Sequence, residues 1–143
     1  MRILHVAKKF PDLIGGDASA VGALAKVQAH EGHDVSVVTS NARAIRRAAN
    51  VHQVGPVQSA EDLDRITLNR IRALSAVRRW ARAELSRIRP DVVHAHAPDL
   101  GFAAATVARD QGIPSILTCH GLWFPVWGAK SLRGRAELFL LRR

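Results

Sequence analysis

Short runs of β-branched and apolar residues alternate along this chain with stretches long enough to be helices, and no other feature constrains its fold as strongly. The runs are Arg2 to Val6, Val35 to Thr39, Val51 to Val54, Val92 to His96 and Ser115 to Cys119. Strands joined by helix-length crossovers must pair in parallel, because a tight hairpin cannot return the chain in that direction. Parallel strands are covered on both faces and should be apolar throughout, and these runs nearly are. The expectation is an α/β chain whose parallel sheet lies between two helical layers.

The intervening segments carry helix signals. After the first run comes a Pro/Gly loop, Phe10 to Gly16, and then a helix expected to be capped by Asp17 or Ser19. Its apolar positions Val21, Leu24, Ala25, Val27 and Ala29 end at Gly32, a residue suited to a left-handed C-terminal cap. From Glu61 to Arg89, Leu63, Ile66, Ile71, Leu74, Val77, Ala81, Leu85 and Ile88 mark one buried stripe, with arginines on the other face. Pro90 stops that helix. Leu100 to Gln111 forms an alanine-rich helix ended by Gly112. Right-handed crossovers of this kind build a doubly wound, Rossmann-like fold in three layers, α/β/α.

At 143 residues the chain suits one domain. Its single cysteine, Cys119, makes neither an internal disulfide nor a CxxC metal motif, which fits a cytoplasmic setting. No apolar run approaches the roughly 20 residues that span a bilayer. The formal charge of +9 is concentrated at Arg43, Arg46 and Arg47, along the long helix, and in the tail from Lys130 to Arg143. Solvated helix faces explain most of it, with an anionic membrane surface as the second reading. Aromatic and basic residues are not interleaved as base stacking requires, so no nucleic-acid partner is expected.

In a doubly wound sheet, ligands settle outside the carboxyl ends of the strands. Gly15 and Gly16, His94 with His96, and His120 with Gly121 all fall on that edge. The glycine pair could form a plain tight turn or let backbone N–H groups approach an oxyanion. The GxGxxG fingerprint and the Walker lysine are both missing, and the second strand ends in Thr39-Ser40-Asn41 without a carboxylate for a ribose diol. NAD is therefore disfavoured, while Ser40 and Arg43 leave an NADP- or nucleotide-binding module open as an alternative. A basic non-catalytic interaction domain is the other.

His94 and His96 share one face of a strand and could ligate a metal together. Asp99 and His120 are available as further ligands, but neither has compelling spacing, and no metal is expected. Cys119 and His120 are adjacent on extended chain and point oppositely, which argues against a thiol and base pair. Trp123, Phe124 and Trp127 form an aromatic patch best read as packing on the sheet.

The segments MRILHVAKKFPDLIGGDASAVGALAKVQAHEGHDVSVVTS, PDVVHAHAPDLGFAAATVARDQGIPSILTCHGL and RAELFLLRR resemble the N-terminal domain of family 4 retaining glycosyltransferases, which have the GT-B fold. The resemblance implies residues 1-143 as one acceptor-side domain, without its last strand and without the C-terminal donor-binding domain. It implies transfer of a sugar, of the hexosyl type, from a nucleotide-diphosphate sugar to a carbohydrate or lipid-linked acceptor. Neither metal nor nicotinamide would be needed. His120 would support catalysis from the cleft wall, and His96, Gly15, Gly16 and Gly121 would line the substrate site. A donor-binding GT-B domain would have to come from elsewhere, so the chain alone is expected to be inactive. Contact with the inner face of a membrane is a further expectation.

Overall fold

The computed structural model describes residues 1–8, 10–11, 16–40, 42–43, 50–55 and 67–120. Five parallel strands form the main sheet: β1 (Arg2–Ala7), β3 (Asp34–Thr39), β5 (Asn50–Gln53), β6 (Val92–Ala95) and β7 (Ser115–Leu117). Two bridging pairs, β2 (Phe10–Pro11) and β4 (Ala42–Arg43), make a separate parallel ribbon. The helices are α1 (Gly16–His30), α2 (Leu68–Ile88) and α3 (Pro98–Asp110).

The strand order is β5-β3-β1-β6-β7. The chain therefore steps outward from β1 in one direction through β3 and β5, then returns to the other side of β1 with β6 and continues to β7. That reversal between β1 and β6 is the topological switch point, where a crevice opens at the carboxyl edge.

Side-chain alternation sorts the strands onto two faces. Leu4, Val6, Val38, Val93 and Ala95 pack with Ala73, Val77, Ala81 and Leu85 of α2 and with Leu100, Ala104 and Ala108 of α3. Ala7, Val35 and Val37 pack on the opposite face with Val21 and Ala25 of α1. The three-layer α/β/α expectation holds. So does the short third strand, whose Asn50–Gln53 backbone pairs with Ser36–Thr39.

Helix ends follow the glycines. At α1 the Gly32 N–H donates to Ala29 O and the His33 N–H to Gln28 O, with Gly32 at φ +82°. At α3 the Gly112 N–H donates to Arg109 O and the Ile113 N–H to Ala108 O, with Gly112 at φ +70°. Both are Schellman closures, which need a residue tolerant of the left-handed region. α2 ends instead on Arg89, at φ 48°.

Three expectations are corrected. Asp17 and Ser19 lie within the first turn of α1, which begins at Gly16, so neither precedes it as a cap. α2 is capped by the Thr67 side chain, which accepts from Arg70 N; residues 61–66 lie outside the described residues. Its buried positions are Arg70, Ala73, Val77, Ala81 and Leu85, whereas Ile71 is 48% exposed. Val77, Ala81 and Leu85 thus form the stripe that the periodicity suggested, but Ile71 falls off it and Ala73 and Arg70 lie on it.

Candidate functional site

His5 sits opposite His94 in the parallel register of β1 and β6. His96 follows β6 on the same face as His94, and Thr118 and His120 follow β7 on that face. The sequence thus folds several polar side chains into one patch at the carboxyl edge. Ladder hydrogen bonds extend past the strand ends to hold it: His96 N–H donates to Val6 O, and Thr118 N–H to Ala95 O, each at 2.8 Å.

The imidazoles form a row. Nε2 of His5 lies 2.7 Å from Oε1 of Gln28 on α1. Nδ1 of His5 lies 2.9 Å from Nε2 of His96, and Nδ1 of His96 lies 3.0 Å from Nε2 of His120. The row runs from the fully buried His5 to the exposed His120. His94 stands beside it, with ring centroids 4.1 Å from His96, and its Nε2 meets Thr118 Oγ1 at 2.7 Å.

Burial disfavours the charged form of His5, His94 and His96. Burial lowers the pKa of His96 to about 3, reinforced by His94, His5 and His120 around it. Burial likewise lowers His5, where the Gln28 bond opposes the shift and His94 adds to it. His94 is lowered by burial and by His120. Ligand atoms of His5, His94 and His96 lie within 4.8 Å of one another, a spacing that a shared cation could use. The 2.9 Å contact between His5 and His96 instead spends their facing nitrogens on a hydrogen bond to each other.

A second polar cluster closes the switch point. Asp99, in the first turn of α3, is 4% exposed. Its Oδ2 receives Nε of Arg70 at 2.8 Å and Nη2 of Arg70 at 2.6 Å, with Nζ of Lys8 at 3.1 Å. Its Oδ1 accepts from Leu100 N at 2.8 Å. Burial alone would raise the Asp99 pKa, but Lys8, Arg70 and the Leu100 N–H more than offset it and leave it lowered. Asp99 is therefore engaged by cations and is not a partner in the histidine cluster, contrary to its reading as an available metal ligand.

Of the residues singled out in the sequence, the structure brings His96 and His120 together directly. Gly16 opens α1 on the same edge, with nothing within 4 Å of where a Cβ would stand. Gly15, Gly121, Trp123, Phe124 and Trp127 lie outside the described residues. Ser40 is fully buried and donates to Lys8 O at 3.3 Å, so it faces inward and does not present itself to a 2′-phosphate. Cys119 is exposed. Sequence reading missed His5, Gln28, Lys8 and Arg70. A histidine in the middle of an otherwise apolar strand was the one available signal for the first of them. The apolar groove of about 120 Å³ lined by Ala95, Gly101, Phe102 and Ile116 lies along α3 and β7, and no histidine lines it.

A five-stranded parallel sheet with this order, helices on both faces and a polar patch at its carboxyl edge defines a Rossmann-like domain of the kind found in GT-B glycosyltransferases. The family model for Glycosyltransferase Family 4 matches residues 14–143, and the chain belongs to that family. Among solved structures, sucrose-phosphate synthase from Thermosynechococcus elongatus superposes with a TM-score of 0.65 at 14% identity, covering 98% of this chain and 39% of that one. WaaG, a glycosyltransferase involved in lipopolysaccharide biosynthesis, gives 0.55 at 20% identity, covering 98% and 34%. The C-terminal domain of a hydrogenase from Pyrococcus furiosus gives 0.59 at 18% identity, covering 82% and 90%. At such identities the likeness speaks for the fold alone, and one fold hosts many chemistries. The chain spans about two fifths or less of the two glycosyltransferase-type chains it resembles. No curated protein matches it in sequence. Among the described residues, no helix is long and apolar enough to cross a membrane.

Proposed function

We propose that this domain is the acceptor-side half of a glycosyltransferase that moves a sugar from a nucleotide-diphosphate sugar to a carbohydrate or lipid-linked acceptor. The observation that carries the reading is the imidazole row, which begins on half-buried Gln28 and ends on exposed His120 beside the switch point. In a transfer through an oxocarbenium-like transition state, the protein works by positioning the reactants and stabilising the leaving diphosphate. His120 contacts the reacting sugar or the acceptor, and His96 holds it in place. Gly15, Gly16 and Gly121 let backbone N–H groups approach the substrates. No metal and no nicotinamide take part.

The donor half of the cleft, which binds most of the nucleotide, belongs to a second GT-B domain. The 143-residue chain on its own is accordingly expected to turn over no nucleotide sugar. Incubating it with several UDP- and GDP-sugars and a panel of acceptors tests this directly. Robust transfer by the chain alone would refute the half-site assignment, and tight NADPH binding would favour a dinucleotide module instead.

A further inference from the structure

The row of imidazoles has a polarity, and one side chain sets it. A neutral imidazole carries one N–H and one lone pair. The Gln28 carbonyl oxygen faces Nε2 of His5 at 2.7 Å, so His5 must donate there and keep Nδ1 bare. Bare Nδ1 of His5 can only accept, which requires the proton on Nε2 of His96. His96 then has a bare Nδ1, which requires the proton on Nε2 of His120. Each ring thus becomes the Nε2–H tautomer, and the last lone pair, on Nδ1 of His120, is left at the exposed end.

Were the amide turned so that its NH2 faced His5, every proton would shift to the other nitrogen. His120 would then present an N–H. Gln28, on α1 and 23 residues from His5 in sequence, therefore decides whether the exposed imidazole accepts or donates. Burial of His5 and His96 supports this logic, because an extra proton that would break the sequence of bonds is disfavoured inside.

We propose that Gln28 is a positioning residue whose carbonyl, acting through His5 and His96, fixes His120 as a hydrogen-bond acceptor, so that the rim selects a ligand group that donates, such as a sugar hydroxyl. The ligand class rests on the transferase reading above, but the tautomer assignment does not.

Long-range nitrogen–proton correlation spectra of the ¹⁵N-labelled 143-residue chain, without substrate, report the tautomer of each ring. Wild type is expected to show protonated Nε2 and bare Nδ1 for His5, His96 and His120. Gln28→Glu keeps an acceptor at that position and should preserve the pattern. Gln28→Met removes the acceptor, and His120 should shift to a mixture of tautomers while the backbone amide spectrum stays native. A protonated Nδ1 on His120 in wild type, or an unchanged His120 pattern in a natively folded Gln28→Met, would overturn the proposal. Because no sugar transfer enters the measurement, failure of the transferase reading would leave its result standing.

Discussion

Gly101 of α3 lies directly against Ala95 of β6, with no room between them for a Cβ. That approach brings α3 onto the sheet just where Asp99 and His96 are placed. Gly101→Ala must push the helix outward or strain the strand, and overpacking of this kind typically costs about 1–3 kcal/mol. Urea unfolding should show a lowered midpoint with an unchanged slope. A midpoint equal to wild type would mean that the helix can shift without penalty.

Gly16 offers the contrasting case. A Cβ there meets nothing within 4 Å, so Gly16→Ala should leave thermal stability within about 0.5 kcal/mol of wild type. If the glycine serves backbone approach to substrate, the same variant in the protein carrying its donor domain should raise KM. Unchanged KM would reduce Gly16 to a turn residue.

Removing the Asp99 carboxylate takes a buried anionic partner from both Arg70, itself 4% exposed, and Lys8. Breaking one partner of such a buried pair costs about 3–5 kcal/mol. Asp99→Asn is therefore expected to lose much of the stability, whereas Asp91→Asn, at an exposed pair with Arg2, should change it little. Chemical denaturation of both variants compares them; equal stability would show that the Lys8, Arg70 and Asp99 cluster contributes nothing net.

Histidines 5, 94 and 96 have folded-state pKa values below the ordinary 6.5. As pH falls below 6.5, the unfolded chain takes up protons that the folded chain refuses, so stability is full above 6.5 and declines below it. For His96 the window extends down to about 3. Each histidine contributes a slope of up to about 1.4 kcal/mol per pH unit. Urea midpoints at pH 7.5 and 5 should differ accordingly, and His96→Asn should flatten the dependence. A flat profile in wild type would show that the row tolerates charge.

The outer face of α2 carries Arg72, Arg78, Arg79, Arg82 and Arg87, all exposed. Among the described residues, Arg87 pairs with an acidic neighbour on that helix, Glu84. If this face meets an anionic membrane, sedimentation with phosphatidylserine vesicles should fall steeply with salt, and Arg78→Glu with Arg82→Glu should weaken it several-fold. Equal binding to neutral vesicles would remove the membrane from the picture.

Much of this architecture was legible because periodicity and glycine placement report backbone conformation locally. Gly32 and Gly112 close helices as expected, and Asn50–Gln53 joins the sheet. Boundaries slipped where a local rule had a competitor: Pro98 opens α3 two residues before Leu100, because a proline suits the first helical turn. The β2 and β4 bridges span two residues each, too few to carry a pattern. The partners within the site were hidden for a different reason. His5 and His96 are 91 residues apart, and Arg70 and Asp99 are 29 apart, so only the assembled register pairs them. Composition assigned the arginines to solvent, although Arg70 falls on the helical period of Ala73, Val77 and Ala81, where a buried carboxylate meets it.

The placement of β1 has a consequence for how the sheet assembles. It precedes its neighbours in the chain yet occupies the middle, bonded to β3 on one edge and β6 on the other. The β1–β3 edge can zip early, since a single crossover separates the two. The other edge must wait for residue 92 and the closure of a far longer loop, which is entropically slow. During synthesis, an unpaired central strand would stand open to stray neighbours until β6 arrives. The histidine row, which bridges that late edge, would form last.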